Sequence, residues 1–182
     1  MKKHESVRVH TKKLVFSALM LALSILIGAV CKAFFTVTPI TRITFDTMPI
    51  ILLGFLFGPV YSTMAAVGAD LVSALIAGYA PTPFITVGAA AIGAVSGVLA
   101  RYIIKRKNFI SIASVSLAAH AIGSMLIKTY GLADLYGMQF SVAFWARLPF
   151  GLLIAAVEAY LIYIVLKNDR ISSLAGGKGA TK

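Results

Sequence analysis

The stretch GFLFGPVYSTMAAVGADLVSALIAGYAPTPF, residues 54–84, contains two helix breaks and a single carboxylate in otherwise apolar sequence. Proline and glycine break or kink helices, so Gly58-Pro59 and the segment around Pro81 bound one helix between them. Asp70 lies inside that helix, where a charge costs roughly 3 kcal/mol on insertion scales and usually faces a cavity or the bundle interior. The stretch therefore predicts a membrane helix whose carboxylate either accepts hydrogen bonds from a ligand or ties neighbouring protein groups.

The whole chain shares this apolar character. Its 182 residues are 59% hydrophobic and only 13% charged, whereas soluble domains carry roughly a quarter charged residues. Uncharged blocks cover residues 14–30, 47–69, 71–100 and 108–119, and long runs of this kind are typical of membrane-spanning helices. The first block lacks the small-residue cleavage site of a signal peptide. We predict an all-α integral membrane protein, located in the cell membrane and crossing it several times.

The positive charges set the topology. Thirteen of the seventeen Lys and Arg residues lie in three patches, at residues 2–13, 101–107 and 167–182. Basic patches that flank apolar spans usually face the cytoplasm. This topology explains the positive charge better than a nucleic-acid-binding site does. An even number of spans must then separate each pair of patches. This gives six transmembrane helices, at about 13–33, 48–58, 61–78, 84–104, 109–129 and 143–167, with cytoplasmic N and C termini.

This topology leaves a short N-terminal tail at residues 1–12, a membrane domain at 13–167 and a C-terminal tail at 168–182. The second span is too short to cross a ~30 Å hydrocarbon core alone. Tilting, local thinning of the bilayer, or insertion of the preceding loop into the protein would make up the difference.

Several charged and aromatic residues remain on the outer side, away from the basic patches. Positive-inside bias disfavours Lys and Arg on this side. Their presence there therefore indicates a site for a ligand with anionic groups, which Arg would bind as a fork and Lys as a point charge. Snorkelling to the headgroups is the alternative. The outer aromatics are typical of an interfacial belt, although a few could stack on a flat ligand. The candidate substrate-binding residues are Lys32, Arg42, Asp70, Tyr79, Lys128 and Arg147.

Three further polar residues have simpler interpretations. We expect Asp46 to cap the second helix beside Thr47. We expect His120, among Ala and Ile, to be a hydrogen-bonded packing residue. Glu158 is expected at a protein–protein contact or in a water-filled crevice, with a buried ion pair to Lys or Arg as the alternative.

Two pairs of small residues have four-residue spacing, Ala18 with Ala22 and Gly93 with Gly97. This spacing lets another helix approach closely, either inside the bundle or from a partner. No phosphate-binding loop, paired-histidine metal motif or nucleophile elbow is present, and one cysteine excludes an internal disulfide. We therefore expect no enzyme activity and no cofactor, and uphill transport would need ion coupling or an energising partner.

Three segments resemble the substrate-binding S component of an energy-coupling factor (ECF) transporter, and within that family its folate-specific branch. They are TRITFDTMPIILLGFLFGPVYSTMAAVGADLVSALI (41–76), GYAPTPFITVGAAAIGAVSG (78–97) and YGMQFSVAFWARLPFGLLIAAVEAYLIYIVLK (136–167). The matching features are the Arg-Ile-x-Phe loop, the Phe-Gly-Pro turn, the Asp-Leu helix with its Tyr-x-Pro end, and the last Arg-bearing helix. The similarity covers about residues 12–167.

The resemblance implies a vitamin pocket that opens outward and a partner module formed by a coupling transmembrane subunit with two ATPases. It also implies that Ala18 and Ala22 form the Ala-x-x-x-Ala docking motif of the first helix. A folate pterin would pair with Asp70, and the folate carboxylates would suit the outer cations. Alternatives are an S component for another cofactor or nucleobase-like solute, an ion-coupled carrier using Asp70 as its proton site, and a small membrane enzyme.

Overall fold

The structure is a computed structural model that describes residues 2–35, 43–78, 80–103 and 108–168, with side chains from residue 10 onward except that of residue 103. Its described part is a bundle of six helices without strands. The first three are α1 (Lys2–Phe34), α2 (Met48–Phe57) and α3 (Pro59–Ile76). Next comes α4 (Pro83–Val98), which continues as a π-helical turn, Leu99–Ile103. Helix α5 (Phe109–Leu135) contains the π-helical stretch His120–Lys128, and α6 is Phe140–Lys167.

The predicted number and order of the helices are confirmed. Five of them are long and apolar enough to span a membrane, and α2 is the short sixth. Two helix ends differ from the prediction by more than three residues. Helix α1 begins at Lys2, because the basic segment before residue 13 has no proline or glycine and Lys and Arg favour helix. Helix α5 runs on to Leu135 through the π-helical stretch.

Helix α2 crosses the bundle inside the protein. Its residues from Pro49 to Phe57 are all buried, and Ile51 and Leu53 are fully enclosed. The segment before it folds inward, since the Ser24 hydroxyl on α1 donates a 2.5 Å hydrogen bond to the carbonyl oxygen of Asp46. Of the loop before α2, the described residues 43–47 are half-buried against the bundle, as loop insertion would require.

One end of the bundle, which we call the basic end, holds the start of α1, the α2–α3 turn and the end of α4. Gly58 makes that turn with φ 86°, a conformation that glycine adopts without strain. A Cβ on Gly93 would lie 2.6 Å from the carbonyl oxygen of Ser62, and one on Gly97 would overlap the Cα of Pro59. The Gly93/Gly97 pair therefore serves internal packing, where it brings α4 against α3.

The Ala18/Ala22 pair has the opposite environment. Both alanines are exposed on the outside of α1, beside Leu14, Leu19 and Leu26, which are about 60% exposed. In a bilayer this apolar face meets lipid or a partner.

Candidate functional site

The opposite end of the bundle, the outer end, contains a cavity of about 640 Å³. This volume lies in the range of about 300–1,000 Å³ typical of small-molecule sites. The cavity lies among α3, α4, α5, α6 and the segment before α2, and it reaches the 80–83 loop and the exposed Tyr136. Its charged lining residues are Lys32, Asp46, Asp70, Lys128 and Arg147.

Four of the six predicted binding residues line this cavity together. Lys32 comes from α1, Asp70 from α3, Lys128 from α5 and Arg147 from α6, and each is half-buried. The interior location agrees with the prediction that these charges face a recess instead of lipid. The other two predicted residues, Arg42 and Tyr79, lie outside the described residues.

Asp70 has a protein partner as well as a cavity face. The hydroxyl of Thr86 on α4 donates a 2.8 Å hydrogen bond to Asp70 Oδ2. A carboxylate oxygen accepts more than one hydrogen bond, so this contact fixes the side chain and leaves acceptor capacity.

Beside the main cavity, a recess of about 50 Å³ is also lined by Asp70, with Lys32, Asp46 and Lys128. Two carboxylates and two ammonium groups therefore converge at this point.

The π-helical stretch of α5 supplies one wall. Its i→i+5 bonding widens the turn, which places His120, Ser124 and Lys128, each four residues apart, along the cavity. Ser124 also accepts a long 3.5 Å hydrogen bond from Nη2 of Arg147. The Lys128 stem crosses α4 at Gly88, where a Cβ would lie 2.5 Å from Lys128 Cγ. A larger residue at position 88 would displace the lysine.

Two expectations for neighbouring polar residues were wrong. Asp46 lines the cavity, and α2 begins after Thr47 with no side-chain capping bond. Glu158 is fully buried, and its partners are His120 at 2.7 Å and Thr47 at 2.6 Å instead of Lys or Arg. His120 is a buried, hydrogen-bonded residue, as expected, but it also lines the cavity.

Sequence reasoning missed several uncharged lining residues, among them Thr44, Ser73 and Ser124. The four-residue spacing of Ser124 from both His120 and Lys128 was the available signal. Tyr136 and Phe150 offer the cavity aromatic surfaces. In contrast, Phe34 and Trp145 are about 70–80% exposed, as expected for an interfacial belt.

No group of three or more metal-binding side chains occurs among the residues whose side chains are described. The cavity thus combines acceptors, cations, hydroxyls and aromatic surfaces. This arrangement can bind a polar organic molecule with anionic groups and a flat ring.

Residues 12–166 match the family model described as the ECF transporter, substrate-specific component. The chain belongs to this family of S components. It is accordingly a multi-pass membrane subunit that binds a transport substrate, and not an enzyme. No curated protein sequence matches it.

Solved structures agree at the level of the fold. A crystal structure of FolT bound with folic acid has a TM-score of 0.68 at 22% identity, covering 84% of this chain and 91% of that one. The S component of a bacterial ECF transporter gives a TM-score of 0.70 at 18% identity, covering 90% and 97%. An S component for biotin from an ECF-type ABC transporter gives 0.62 at 20% identity, covering 87% and 93%.

Proposed function

We propose that this S component captures folate, or a closely related vitamin, in the outer cavity. The observation that carries the proposal is the convergence of Lys32, Asp70, Lys128 and Arg147 on one cavity of about 640 Å³. Asp70 would accept hydrogen bonds from the donor edge of the pterin. The cations would bind the two carboxylates of the glutamate tail, Arg147 by a bidentate fork and the lysines as point charges. The folic acid bound to the similar FolT supports this substrate.

We further propose that the loaded subunit docks on a coupling transmembrane subunit that carries two ATPases. Ala18 and Ala22 supply a shallow, apolar place on the exposed face of α1, where a partner helix can approach closely. Among the described residues this face is available because α1 packs on α2 and α3 with its other side, as shown by the edge-to-face contact of Phe16 with Phe57.

Folic acid titration of the purified protein in detergent tests the first proposal. We expect saturable binding, with biotin as the competing candidate ligand in a parallel titration. Lys128→Gln and Arg147→Gln should each weaken folic acid binding by about tenfold or more, since hydrogen bonds to charged groups contribute about 1.5–3 kcal/mol.

The matched control is Lys12→Gln, which neutralises an exposed lysine at the basic end. It should leave the affinity unchanged. Wild-type affinity in both cavity variants would contradict the proposed site, whereas tight biotin binding without folic acid binding would replace the substrate and keep the site. Identification of any small molecule that copurifies with the protein provides a second, independent check.

A further inference from the structure

Thr47, which lines the cavity, departs from the ordinary role of a threonine at a helix start. Thr at the start of a helix usually accepts a hydrogen bond from a backbone N–H of the first turn, and losing such a cap costs about 0.5–2 kcal/mol. At the start of α2 that bond is absent. The Thr47 hydroxyl instead donates a 2.6 Å hydrogen bond to Oε1 of Glu158 on α6. The side chain therefore joins two helices and does not cap its own.

Helix α5 changes its winding at the same place. The π-helical stretch begins at His120, and Nε2 of His120 lies 2.7 Å from Oε2 of Glu158. Oγ1 of Thr47 is 3.5 Å from the same nitrogen. π-Helical segments inside α-helices occur frequently at functional sites. The irregular stretch is thus held at its first residue by the carboxylate that also holds Thr47.

Glu158 lies on α6 one helical turn after the last residue of that helix that lines the cavity, Ile154. Arg147, Gly151 and Ile154 of α6 line the cavity, and the spacing 147, 151, 154, 158 keeps Glu158 on the same helix face. Its side chain is fully buried and is not among the lining residues. An ionisable side chain at this depth of a membrane protein is costly and usually functional. Because Glu158 does not line the cavity, any effect that it has on a ligand there passes through its neighbours.

Those neighbours carry the polar groups of the site. The segment that ends at Thr47 contributes Thr44 and Asp46, and the π-helical stretch that begins at His120 contributes Ser124 and Lys128. Each oxygen of one carboxylate holds one of these segments. A shift of either segment would change the distance between Asp46 and Lys128, which a ligand in the cavity would contact at the same time.

We infer that Glu158 is a positioning residue for ligand binding. It fixes Thr47 and His120 relative to α6, and so sets the distance between the polar groups on the two sides of the cavity. The inference rests on the proposed function in one respect, namely that the cavity is the binding site. A role in folding alone is the competing explanation, and it predicts lower stability with unchanged affinity.

The test compares Glu158→Gln and Glu158→Ala for folic acid affinity and thermal unfolding in detergent. Glu158→Ala leaves the buried His120 and the half-buried Thr47 without their acceptor, and we expect a loss of affinity of about tenfold or more. Glu158→Gln has the same shape and keeps one carbonyl acceptor, so it should restore most of the affinity. Thr47→Val removes a single bond and should cost about fivefold. Because Thr47 lines the cavity, Thr47→Val replaces a Glu158→Ala variant that does not fold only in the thiol-modification assay described below, which needs no ligand.

Ser116→Ala is the matched control. The buried Ser116 hydroxyl of α5 donates a 3.1 Å hydrogen bond to the Ala155 carbonyl of α6, so it links the same two helices away from the cavity. We expect it to lower the unfolding temperature without changing affinity. The inference is wrong if folded Glu158→Ala also keeps wild-type affinity. It is equally wrong if Glu158→Gln binds as weakly as Glu158→Ala.

A second readout separates this inference from the proposed function. In a Cys31→Ala background, the thiol introduced by Ser124→Cys reports the position of the π-helical stretch without any ligand. Its rate of modification by a methanethiosulfonate reagent should change with Glu158→Ala and return with Glu158→Gln. If the wild-type protein binds no folic acid, the proposed substrate fails while this rate still decides the role of Glu158. An unchanged rate in Glu158→Ala would overturn that role.

Discussion

The two ends of this bundle are built from the same helices but differ in what fills them. At the basic end, Leu53, Ile112 and Ile162 are fully enclosed and belong to one continuous apolar core. At the outer end the helices leave a cavity of about 640 Å³ lined by five charged side chains. Apolar and small side chains can interdigitate to crystal-like density, whereas charged groups stay apart because desolvating them is costly. The cavity thus lies at the end of the bundle where the charged side chains gather.

The two small-residue pairs repeat this lesson on a smaller scale. Gly93 and Gly97 are buried against α3 near the basic end, and Ala18 and Ala22 face outward from α1. Both pairs have the same spacing, so only their surroundings separate an internal contact from an available surface.

The largest expected effect comes from adding volume to the packed end. Gly97→Leu must displace Pro59, whose Cα a single Cβ would already overlap, and overpacking costs about 1–3 kcal/mol or more. We expect little folded protein by size-exclusion chromatography in detergent. Ala22→Leu adds a similar side chain to the exposed pair and should leave the unfolding temperature unchanged. Equal losses in both variants would break the distinction between the pairs.

The next effect concerns the exposed pair and transport. Ala18→Trp and Ala22→Trp should abolish ATP-driven folic acid uptake by proteoliposomes that contain the coupling subunit and ATPases, because the bulky ring blocks close helix approach. Folic acid binding to the isolated variants should be unchanged. Loss of binding would instead indicate that α1 packs internally through these alanines.

A larger side chain in the cavity should lower ligand binding without lowering stability, which is the opposite of its effect at the packed end. Ser73 lines both the main cavity and the small recess, so Ser73→Leu fills space that a ligand would occupy. We expect binding to fall below detection while the unfolding temperature stays the same or rises. Isothermal titration and thermal unfolding of one preparation check this, and a fall in stability with intact binding would contradict it.

The smallest effect tests the Thr86 hydrogen bond to Asp70. Thr86→Val removes this 2.8 Å donor, and one such bond contributes about 1 kcal/mol, or about fivefold in affinity. We expect weaker folic acid binding because Asp70 is less well oriented. Ser114→Ala removes a hydroxyl that bonds only within its own helix and is the control. A fivefold loss in both variants would remove the special role of Thr86.

Helix number, helix order and the inward charges could be predicted because long apolar blocks and charge placement depend on the bilayer alone. Lys32, Asp70, Lys128 and Arg147 were predicted on this ground and all four line the cavity, while their role in substrate binding stays a prediction. The place of Asp46 in the cavity wall and the partners of Glu158 could not be predicted. Local preferences favour a helix cap for an Asp at a helix start, and an ion pair with Lys or Arg for a buried Glu. Their positions depend on how residues 43–47 pack against the bundle and on the winding of α5. Arg42 and Tyr79 remain predictions.

Cysteine accessibility tests the hollow outer end most directly. In a Cys31→Ala background, Ser73→Cys and Ser124→Cys place thiols in the cavity, and Ser62→Cys places one in the packed end, where Ser62 is fully buried. Whole cells are treated with a charged, membrane-impermeant methanethiosulfonate reagent from outside. We predict rapid modification at positions 73 and 124, slowed by folic acid, and none at 62. Protection of all three positions, with folded protein confirmed, would contradict the account.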